Sequence, residues 1–320
     1  TVFHEAISWM IQGVLWISRQ SYGMLTIGHV PFLWVLLFYF MTGLWIWKKN
    51  GQNRHIRISL AYVIMIILIW IPMARRKSLA FLDVGQGDCF VADTKSGAII
   101  FDGGSSSEDQ VGRYRILPYM KYLGYQKIQI AVISHMDIDH YSGIKELLEM
   151  GKIKYLGLPE IPKDETMKKI IGIAKKRGTT IFYLSRGRQI TTKDGSLKVL
   201  HPQKNSQMEK NAASLVMQGK ILGYRVLLTG DVEKEGEEEL LSEELERADI
   251  LKAAHHGSKN STSNEFLQKV QPKQTVISCG KQNRYGHPHL ETIHRLQTYR
   301  TKIYRTDRSG AIIFFKRRDG

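Results

Sequence analysis

The sequence is poor in cysteine. Only Cys89 and Cys279 occur in 320 residues. Two cysteines cannot form the disulfide framework of a small secreted domain, so both are predicted to be buried free thiols, with one disulfide as the alternative. A signal-peptide pattern is also missing, and the chain begins at Thr1 rather than at methionine. We therefore expect a fragment of a longer protein.

Charge is missing from two apolar runs near the N-terminus, residues 30–47 and 58–74. Each approaches the length that spans a hydrocarbon core, and tryptophans stand near their ends. We predict that both are transmembrane helices within a membrane segment formed by residues 1–77, with buried core helices as the alternative. Apolar residues at helical spacing in residues 2–17 predict an amphipathic helix that lies on the membrane or packs on other helices.

Acidic residues are scarce relative to basic ones. The chain has 46 Lys and Arg against 30 Asp and Glu, a formal net charge of +16. Residues 1–74 contain five of the bases and one of the acids, so 41 bases and 29 acids fall in the remainder. The excess is therefore not confined to the membrane segment. It favours an anionic partner, either nucleic acid or lipid headgroups, over a soluble protein with a merely basic face.

From Ser78 onward the pattern changes to short apolar runs separated by glycine and polar turns. The runs that predict strands are SLAFLDV, CFVADT, GAIIFDGG, IQIAVISH, KYLGLPE, TTIFYL, LKVLHP, RVLLTGD, DILKAAHH, TVISCG and GAIIFFK. Helices are predicted at about 112–123, 142–150, 164–177, 233–247, 263–270 and 289–299. Strands outnumber helices, and hairpin-like turns join several of them, which excludes a simple alternating doubly wound sheet. Residues 78–320 are thus predicted to form one domain of two mixed sheets with helices outside.

Side chains that can bind metal ions follow several predicted strands. In chain order they are His135, Asp137, Asp139, His140, Asp231, His255, His256, His287 and His289. Strand ends share one edge of such folds, and the loops beyond them are where sites are built. A tight loop over the HxDxDH motif can turn two of its side chains to one ion and two to another. Singly, each residue is better explained as a turn or surface residue, but together they predict a metal site.

The motifs resemble those of the metallo-β-lactamase superfamily. The segments FLDVGQGDC, FDGG, SHMDIDH, LLTGD, LKAAHHGS and YGHP, with Asn211 before SLVM, follow one another in this order. This order is similar to the C-terminal nuclease domain of the ComEC family, inner-membrane DNA-uptake channels of competent bacteria. The resemblance covers residues 78–316 and the last spans of the channel. It implies an αββα sandwich with a dinuclear site at one edge, and it implies the rest of the channel and other uptake proteins as partners.

The resemblance also implies the ligands of the two ions. They are His135, Asp137, Asp139, His140, Asn211, Asp231, His255 and His287. Asp231 matches the bridging carboxylate, and either His255 or His287 completes the second ion. Asp137 and Asn211 stand where the family often has histidine. Oxygen ligands suit harder ions, so Mn²⁺ is favoured, with Zn²⁺ or Mg²⁺ as alternatives.

Two divalent ions at such a site can hydrolyse a phosphodiester, because they clamp both reacting oxygens and activate a water. We predict Asp139 or Asp231 to position that water, and a protonated His256 or His289 to assist the leaving oxygen. Basic residues beside the ligand loops are predicted to hold the phosphates of DNA. These are Lys252, Lys259, Lys281 and Arg284.

The predicted function is therefore a membrane-tethered, metal-dependent DNA nuclease acting in DNA uptake. One alternative is a zinc hydrolase of a small substrate, against which the basic charge and the carboxylate-rich ligand set argue. The other is a non-catalytic DNA-binding module of a transport channel, against which the complete ligand set argues.

The orientation of a multi-pass protein in the cell membrane follows from its basic loops. Residues 48–57 form a short loop with four Lys and Arg, which predicts that the loop stays in the cytoplasm. The catalytic domain is then predicted to be extracytoplasmic. Arg75, Arg76 and Lys77 favour the opposite orientation, but a nuclease in the cytoplasm would threaten the chromosome.

Overall fold

A computed structural model describes residues 2–19, 26, 28–47, 56, 59, 60, 62, 63, 76–208, 211–243 and 245–317. The chain divides into two compact units. The first comprises Thr1–Arg75 with Lys121–Gln126, and the second comprises Arg76–Met120 with Lys127–Gly320.

The first unit contains helices α1 (Val2–Arg19) and α2 (Phe32–Trp47). The helix predicted over residues 2–17 is confirmed as α1, and α2 occupies most of the apolar run 30–47. Within the described ranges, no helix combines the length and the apolar character that crossing a membrane requires. Most of the second predicted span, residues 58–74, lies outside the described residues.

The second unit contains two seven-stranded sheets. The first has the order β14-β1-β2-β3-β4-β5-β6, and the second has the order β13-β12-β11-β10-β9-β8-β7. The strands are β1 Ser78–Phe81, β2 Phe90–Thr94, β3 Gly97–Phe101, β4 Ile128–Val132, β5 Ile153–Pro159, β6 Thr180–Leu184, β7 Gln189–Thr192, β8 Gly195–His201, β9 Val216–Ile221, β10 Tyr224–Leu228, β11 Ile250–Lys252, β12 Gln274–Ile277, β13 Lys302–Arg305 and β14 Ile312–Phe315.

Each sheet is antiparallel in one half and parallel in the other. Strands β14, β1, β2 and β3 pair antiparallel, and β3, β4, β5 and β6 pair parallel. In the second sheet β7 to β10 are antiparallel and β10 to β13 are parallel. The prediction of two mixed sheets is confirmed. Their parallel halves place several strand ends at one edge, where the site lies.

Helices cover the outer faces of the sheets. A π-helical turn (Gly112–Ile116) and a 3₁₀ turn (Ala254–Gly257) accompany them. The α-helices of this part are α3 Leu117–Tyr122, α4 Ile138–Glu149, α5 Glu165–Lys176, α6 Lys234–Leu241, α7 Asn264–Val270, α8 Leu290–Thr298 and α9 Thr306–Ser309. Among the described residues, two apolar clusters hold the layers together.

The first cluster lies between the sheets, where Phe81 and Phe90 meet Val199 and Leu228. The second joins the outer face of the second sheet to the helices, for example through Phe266. Burying each such side chain contributes about 1.5–3 kcal/mol. Cys89 and Cys279 are buried and free, as predicted.

Candidate metal centre

Parallel strands bring the predicted ligand motifs to one edge. His135 follows β4 in the first sheet, whereas Asp231 follows β10 and His256 follows β11 in the second. Strands β10 and β11 pair in parallel, with Leu227 opposite Leu251, so their carboxyl ends are adjacent. Ligand sites of open parallel sheets form beyond such ends.

A loop from the antiparallel half reaches the same edge. Strand β2 runs opposite to β3, and Phe90 at its start pairs with Phe101 at the end of β3. The loop before β2 therefore carries Asp88 to the place where Asp102 follows β3. Asp88 lies in the FLDVGQGDC motif but was not predicted to be a ligand.

The start of α4 is held against these loops by backbone contacts. The amide of Asp88 donates to the carbonyl of Asp139 (3.0 Å), and the amide of Gly103 donates to the carbonyl of His140 (2.8 Å). A Cβ on Gly104 would collide with the backbone of Asp139 and His140. The loop therefore needs glycine here, because only a residue without a side chain permits this close approach.

Four buried side chains form the centre of the site. Asp88, His140, Asp231 and His256 each offer a ligand atom, and these atoms lie within 4.8 Å of one another. Asp231 is central, because its Oδ2 lies 3.1 Å from His140 Nε2 and 3.2 Å from His256 Nε2. Burying two carboxylates and two imidazoles this close together is costly unless these side chains share a bound cation.

Three imidazoles are oriented in the way that metal-binding histidines are. His135 Nδ1 lies 3.0 Å from Ser134 Oγ, His140 Nδ1 lies 2.9 Å from Asp102 Oδ2, and His256 Nδ1 lies 2.9 Å from the carbonyl oxygen of Ser278. The three Nε2 atoms are buried and have no hydrogen-bond partner among the described residues. Metal ligands commonly engage the second ring nitrogen in this way, which fixes the ring and its tautomer. The residues present therefore fit a metal ion.

Further donors of the HxDxDH motif stand beside this centre. Asp139 Oδ2 is 3.5 Å from His256 Nε2, and Asp137 Oδ2 is 3.7 Å from His135 Nε2. The rings of His135 and His140 are 4.1 Å apart between centroids. The whole motif was predicted to lie in a loop, but only its first part does. Asp137 is extended and α4 begins at Ile138, so its last two ligands occupy the first helical turn.

The charges of the centre act strongly on one another. Burial opposes the charged form of His256, but the carboxylates of Asp231 and Asp88 outweigh it and raise its pKa to about 10. Burial likewise opposes ionisation of Asp139, but its 3.5 Å contact with His256 and the charge of His140 lower its pKa to about 2. Without a metal ion the ring of His256 therefore holds a proton on both nitrogens at neutral pH. A cation that binds His256 Nε2 must displace the proton there.

Lys252 lies inside the centre and not on a DNA-binding surface. Its side chain is buried, with Nζ in contact with Asp88 Oδ2 and 3.3 Å from Asp231 Oδ1. It also donates to the carbonyl of Gly230 (2.8 Å). The strand β11 ends at this residue, and the alternation of the strand turns the lysine inward. Lys252 was predicted to contact phosphate because it lies beside a ligand loop in the sequence. In the structure its ammonium group instead offsets the charges of two buried carboxylates.

Two predicted ligands converge on another residue. His255 Nδ1 lies 3.0 Å from Glu233 Oε1, and Asn211 Nδ2 lies 3.5 Å from the same oxygen. His255 Nε2 is 3.8 Å from Asp231 Oδ2, at the margin of the centre. The role of Asn211 and His255 as ligands stays a prediction.

His287 packs beside the centre through its ring. The centroid of His287 lies 6.2 Å from that of His256 and 5.5 Å from that of His255. Burial and the charges of His256 and His255 lower the pKa of His287 to about 4. The ring is therefore neutral at pH 7. The ring centroid of His289, which was predicted with His256 as a general acid, lies 5.1 Å from that of His287.

The backbone around the histidine pair adopts a conformation that side chains disfavour. His255 and His256 have φ of 47° and 53°, and Gly257 follows with φ of 85°. Left-handed geometry at a non-glycine residue costs about 1–3 kcal/mol and persists where surrounding contacts enforce it. The distortion turns His256 toward Asp231, which no property of the dipeptide alone would indicate.

The residues that orient the ligands were not named among the predicted site residues. Asp102 is completely buried, accepts the amide of Ser134 (2.7 Å) at Oδ1 and contacts His140 at Oδ2. Ser214 Oγ lies 3.3 Å from His135 Nδ1. The FDGG motif was the available signal for Asp102, because it follows a buried strand as SHMDIDH does.

The chain belongs to the metallo-beta-lactamase superfamily, whose model matches residues 82–281. Among solved structures, the metallo-beta-lactamase fold protein YhfI from Bacillus subtilis aligns with a TM-score of 0.51 at 14% identity. The alignment covers 74% of this chain and 99% of that one. At this identity the likeness shows the fold, and it confirms the predicted αββα arrangement of the two sheets.

The particular relatives are competence proteins. The chain is 34% identical over 294 residues to ComE operon protein 3 of Bacillus subtilis (strain 168), covering 85% of this chain and 38% of that protein. It is 30% identical to Competence protein ComA of Neisseria gonorrhoeae, covering 74% of this chain and 32% of that protein. The resemblance to the ComEC family is thereby confirmed. The chain spans about a third of the length of these relatives.

Proposed function

We propose that the second unit is a metal-dependent phosphodiesterase that cleaves DNA during uptake. The observation that supports this most is the set of three imidazoles whose Nδ1 atoms are engaged and whose buried Nε2 atoms face Asp231, Asp139 and Asp137. Membership in the ComEC family and the excess of bases in residues 75–320 favour DNA as the substrate.

The residues would act as follows. One ion would be held by Asp88, His140, Asp231 and His256. A second ion would be held by His135 and Asp137 together with Asp231 or Asp139. When bound, divalent ions supply a Lewis acid that activates water and stabilises negative charge on phosphoryl oxygens.

The protein's own groups complete the chemistry. Asp139, ionised at neutral pH and 3.5 Å from His256, would orient the attacking water. Asp102 keeps the ring of His140 in one orientation. His289, whose ring centroid lies 5.1 Å from that of His287, is the candidate to donate a proton to the leaving oxygen. The mixture of carboxylate and imidazole ligands favours Mn²⁺.

The test of this function is a comparison of metal ions and substrates. The purified chain should bind two divalent ions and should relax or degrade plasmid DNA best with Mn²⁺. A β-lactam such as nitrocefin should stay intact under the same conditions. Hydrolysis of the β-lactam without DNA cleavage, or one tightly held Zn²⁺ with no gain from Mn²⁺, would contradict the proposal.

Exposed bases beside the ligand loops are proposed to hold DNA phosphates. Lys259, Lys281 and Arg284 are all exposed. Changing Lys259 and Lys281 to alanine should weaken DNA binding uniformly across sequences. It should also flatten the dependence of log affinity on log salt by about 0.7 per lost contact on single strands.

Binding is measured by fluorescence anisotropy at several salt concentrations with EDTA present. Lys175 and Lys176 are exposed at the end of α5, on a different surface element, and their double alanine variant is the matched control. An equal change of slope in both variants would show a general effect of net charge and remove the assignment.

We further propose that residues 1–77 tether residues 78–320 to the cell membrane, with the catalytic domain outside. The apolar runs and the basic loop 48–57 support this orientation. Protease added to intact protoplasts should release a fragment of about residues 75–320. Digestion only after the membrane is broken would invert the orientation.

A further inference from the structure

A row of nearly parallel rings leads from the metal centre to the surface. The ring of His256, a buried member of the centre, lies 6.2 Å from the ring of His287 at an angle of 29°. The ring of His287 in turn lies 5.7 Å from the ring of Tyr285 at an angle of 22°. Tyr285 is 41% exposed. The row therefore ends in a large aromatic side chain that solvent can reach.

The loop that presents Tyr285 is braced by one side chain. Asn283 Nδ2 donates to the carbonyls of Gly280 (2.9 Å) and His287 (2.6 Å), and its Oδ1 accepts from the amides of Tyr285 (3.2 Å) and His287 (2.9 Å). These bonds close the turn on itself. The backbone at the tyrosine is thus fixed before any ligand arrives, which reduces the entropy that binding would cost.

A cation accompanies the exposed ring. Arg284 is exposed, its Cζ lies 4.9 Å from the centroid of Tyr285, and its Nη2 donates to the tyrosine hydroxyl (2.7 Å). An arginine and an aromatic ring side by side can stack a nucleobase and contact the adjoining phosphate.

We propose that Tyr285, together with Arg284, is a stacking platform for one nucleobase of the substrate. This proposal rests on the proposed function and deepens it, because it names an unstacked base as part of what the site recognises. A base inside a duplex has both faces covered by its neighbours. The platform therefore favours a single-stranded end or a nucleotide turned out of its stack, and it tolerates every base, because every base has a π face.

The test separates base recognition from backbone recognition. A short fluorescein-labelled oligothymidylate and the same backbone with abasic sites are titrated with the 320-residue chain in EDTA. Tyr285→Ala should weaken binding of the oligothymidylate roughly 5- to 150-fold, the range for loss of one stacked base. It should leave binding of the abasic strand unchanged. Tyr285→Phe and Tyr285→Trp should retain the preference for bases.

Tyr114→Ala is the matched control, because Tyr114 is also an exposed tyrosine but stands outside the row of rings. Equal weakening of both strands by Tyr285→Ala, or no weakening of either, would overturn the platform. Cleavage by Mn²⁺-loaded protein is measured separately. Base-dependent binding without any cleavage would refute the nuclease proposal and support the stacking platform. Cleavage by the unaltered chain, with the same preference for bases in Tyr285→Ala, would support the nuclease proposal and refute the platform.

Discussion

Replacing Asp231 by asparagine should abolish phosphodiester cleavage, with a loss of at least about 10³-fold, equivalent to about 4 kcal/mol of transition-state stabilisation. The carboxylate is central to the site, with one oxygen 3.1 Å from His140 Nε2 and 3.2 Å from His256 Nε2. Asparagine keeps the shape and removes the charge that holds both imidazoles and any cation between them. Initial rates on plasmid DNA at saturating Mn²⁺ and metal content per chain are the measurements.

The fold should survive this change, because Asp231 belongs to neither apolar cluster and buried Lys252 keeps Asp88 as its partner. Circular dichroism of Asp231→Asn should match that of the unaltered chain. Glu291→Gln is the matched control, since it removes an exposed carboxylate from the first turn of α8. Its rate should stay within about threefold, as expected for a surface change. Turnover of Asp231→Asn near that of the unaltered chain would exclude a central role for this carboxylate.

Replacing Lys252 by methionine should lower the free energy of unfolding by about 3–5 kcal/mol in the absence of metal. The ammonium group is buried between Asp88 and Asp231, and methionine removes the positive charge that these two carboxylates share. Breaking a buried ion pair on one side is costly, because the remaining charge stays desolvated. Urea denaturation in EDTA measures this loss.

Added Mn²⁺ should stabilise Lys252→Met more than the unaltered chain. A divalent cation supplies the positive charge that the variant lacks, and ligand binding stabilises the folded state by mass action. Lys259→Met is the control, since Lys259 is exposed and its replacement should change stability by no more than about 0.5 kcal/mol. Equal stabilisation of both variants by Mn²⁺ would show that the lysine and the cation do not serve the same carboxylates.

The sheet edges show where sequence patterns were insufficient. Strands β7, β9 and β13 were not predicted, and β7 and β13 are the two edges of the second sheet. Only Ile190 of β7 is buried, and no residue of β13 is. An edge strand with little buried surface lacks the apolar run by which the central strands were recognised. The helix predicted over 233–247 ends at Leu241. Its end was predicted too late, because acidic residues alone do not mark the end of a helix.

The sequence by itself determined the superfamily, the two mixed sheets and the motifs that supply the site. These are local properties, since apolar runs mark buried strands and ligand types recur at fixed spacing after them. His140, Asp231 and His256 were identified in this way, together with the neighbouring donors His135 and Asp139.

Only the tertiary structure decided which side chains share one point. Asp88 enters the centre because β2 runs antiparallel to β3, which brings its loop to the carboxyl edge. Lys252 turns inward to two carboxylates, and Tyr285 ends a row of rings that begins at His256. Contacts of this kind join residues far apart in the chain. They depend on strand order, register and backbone distortion, none of which a local pattern encodes.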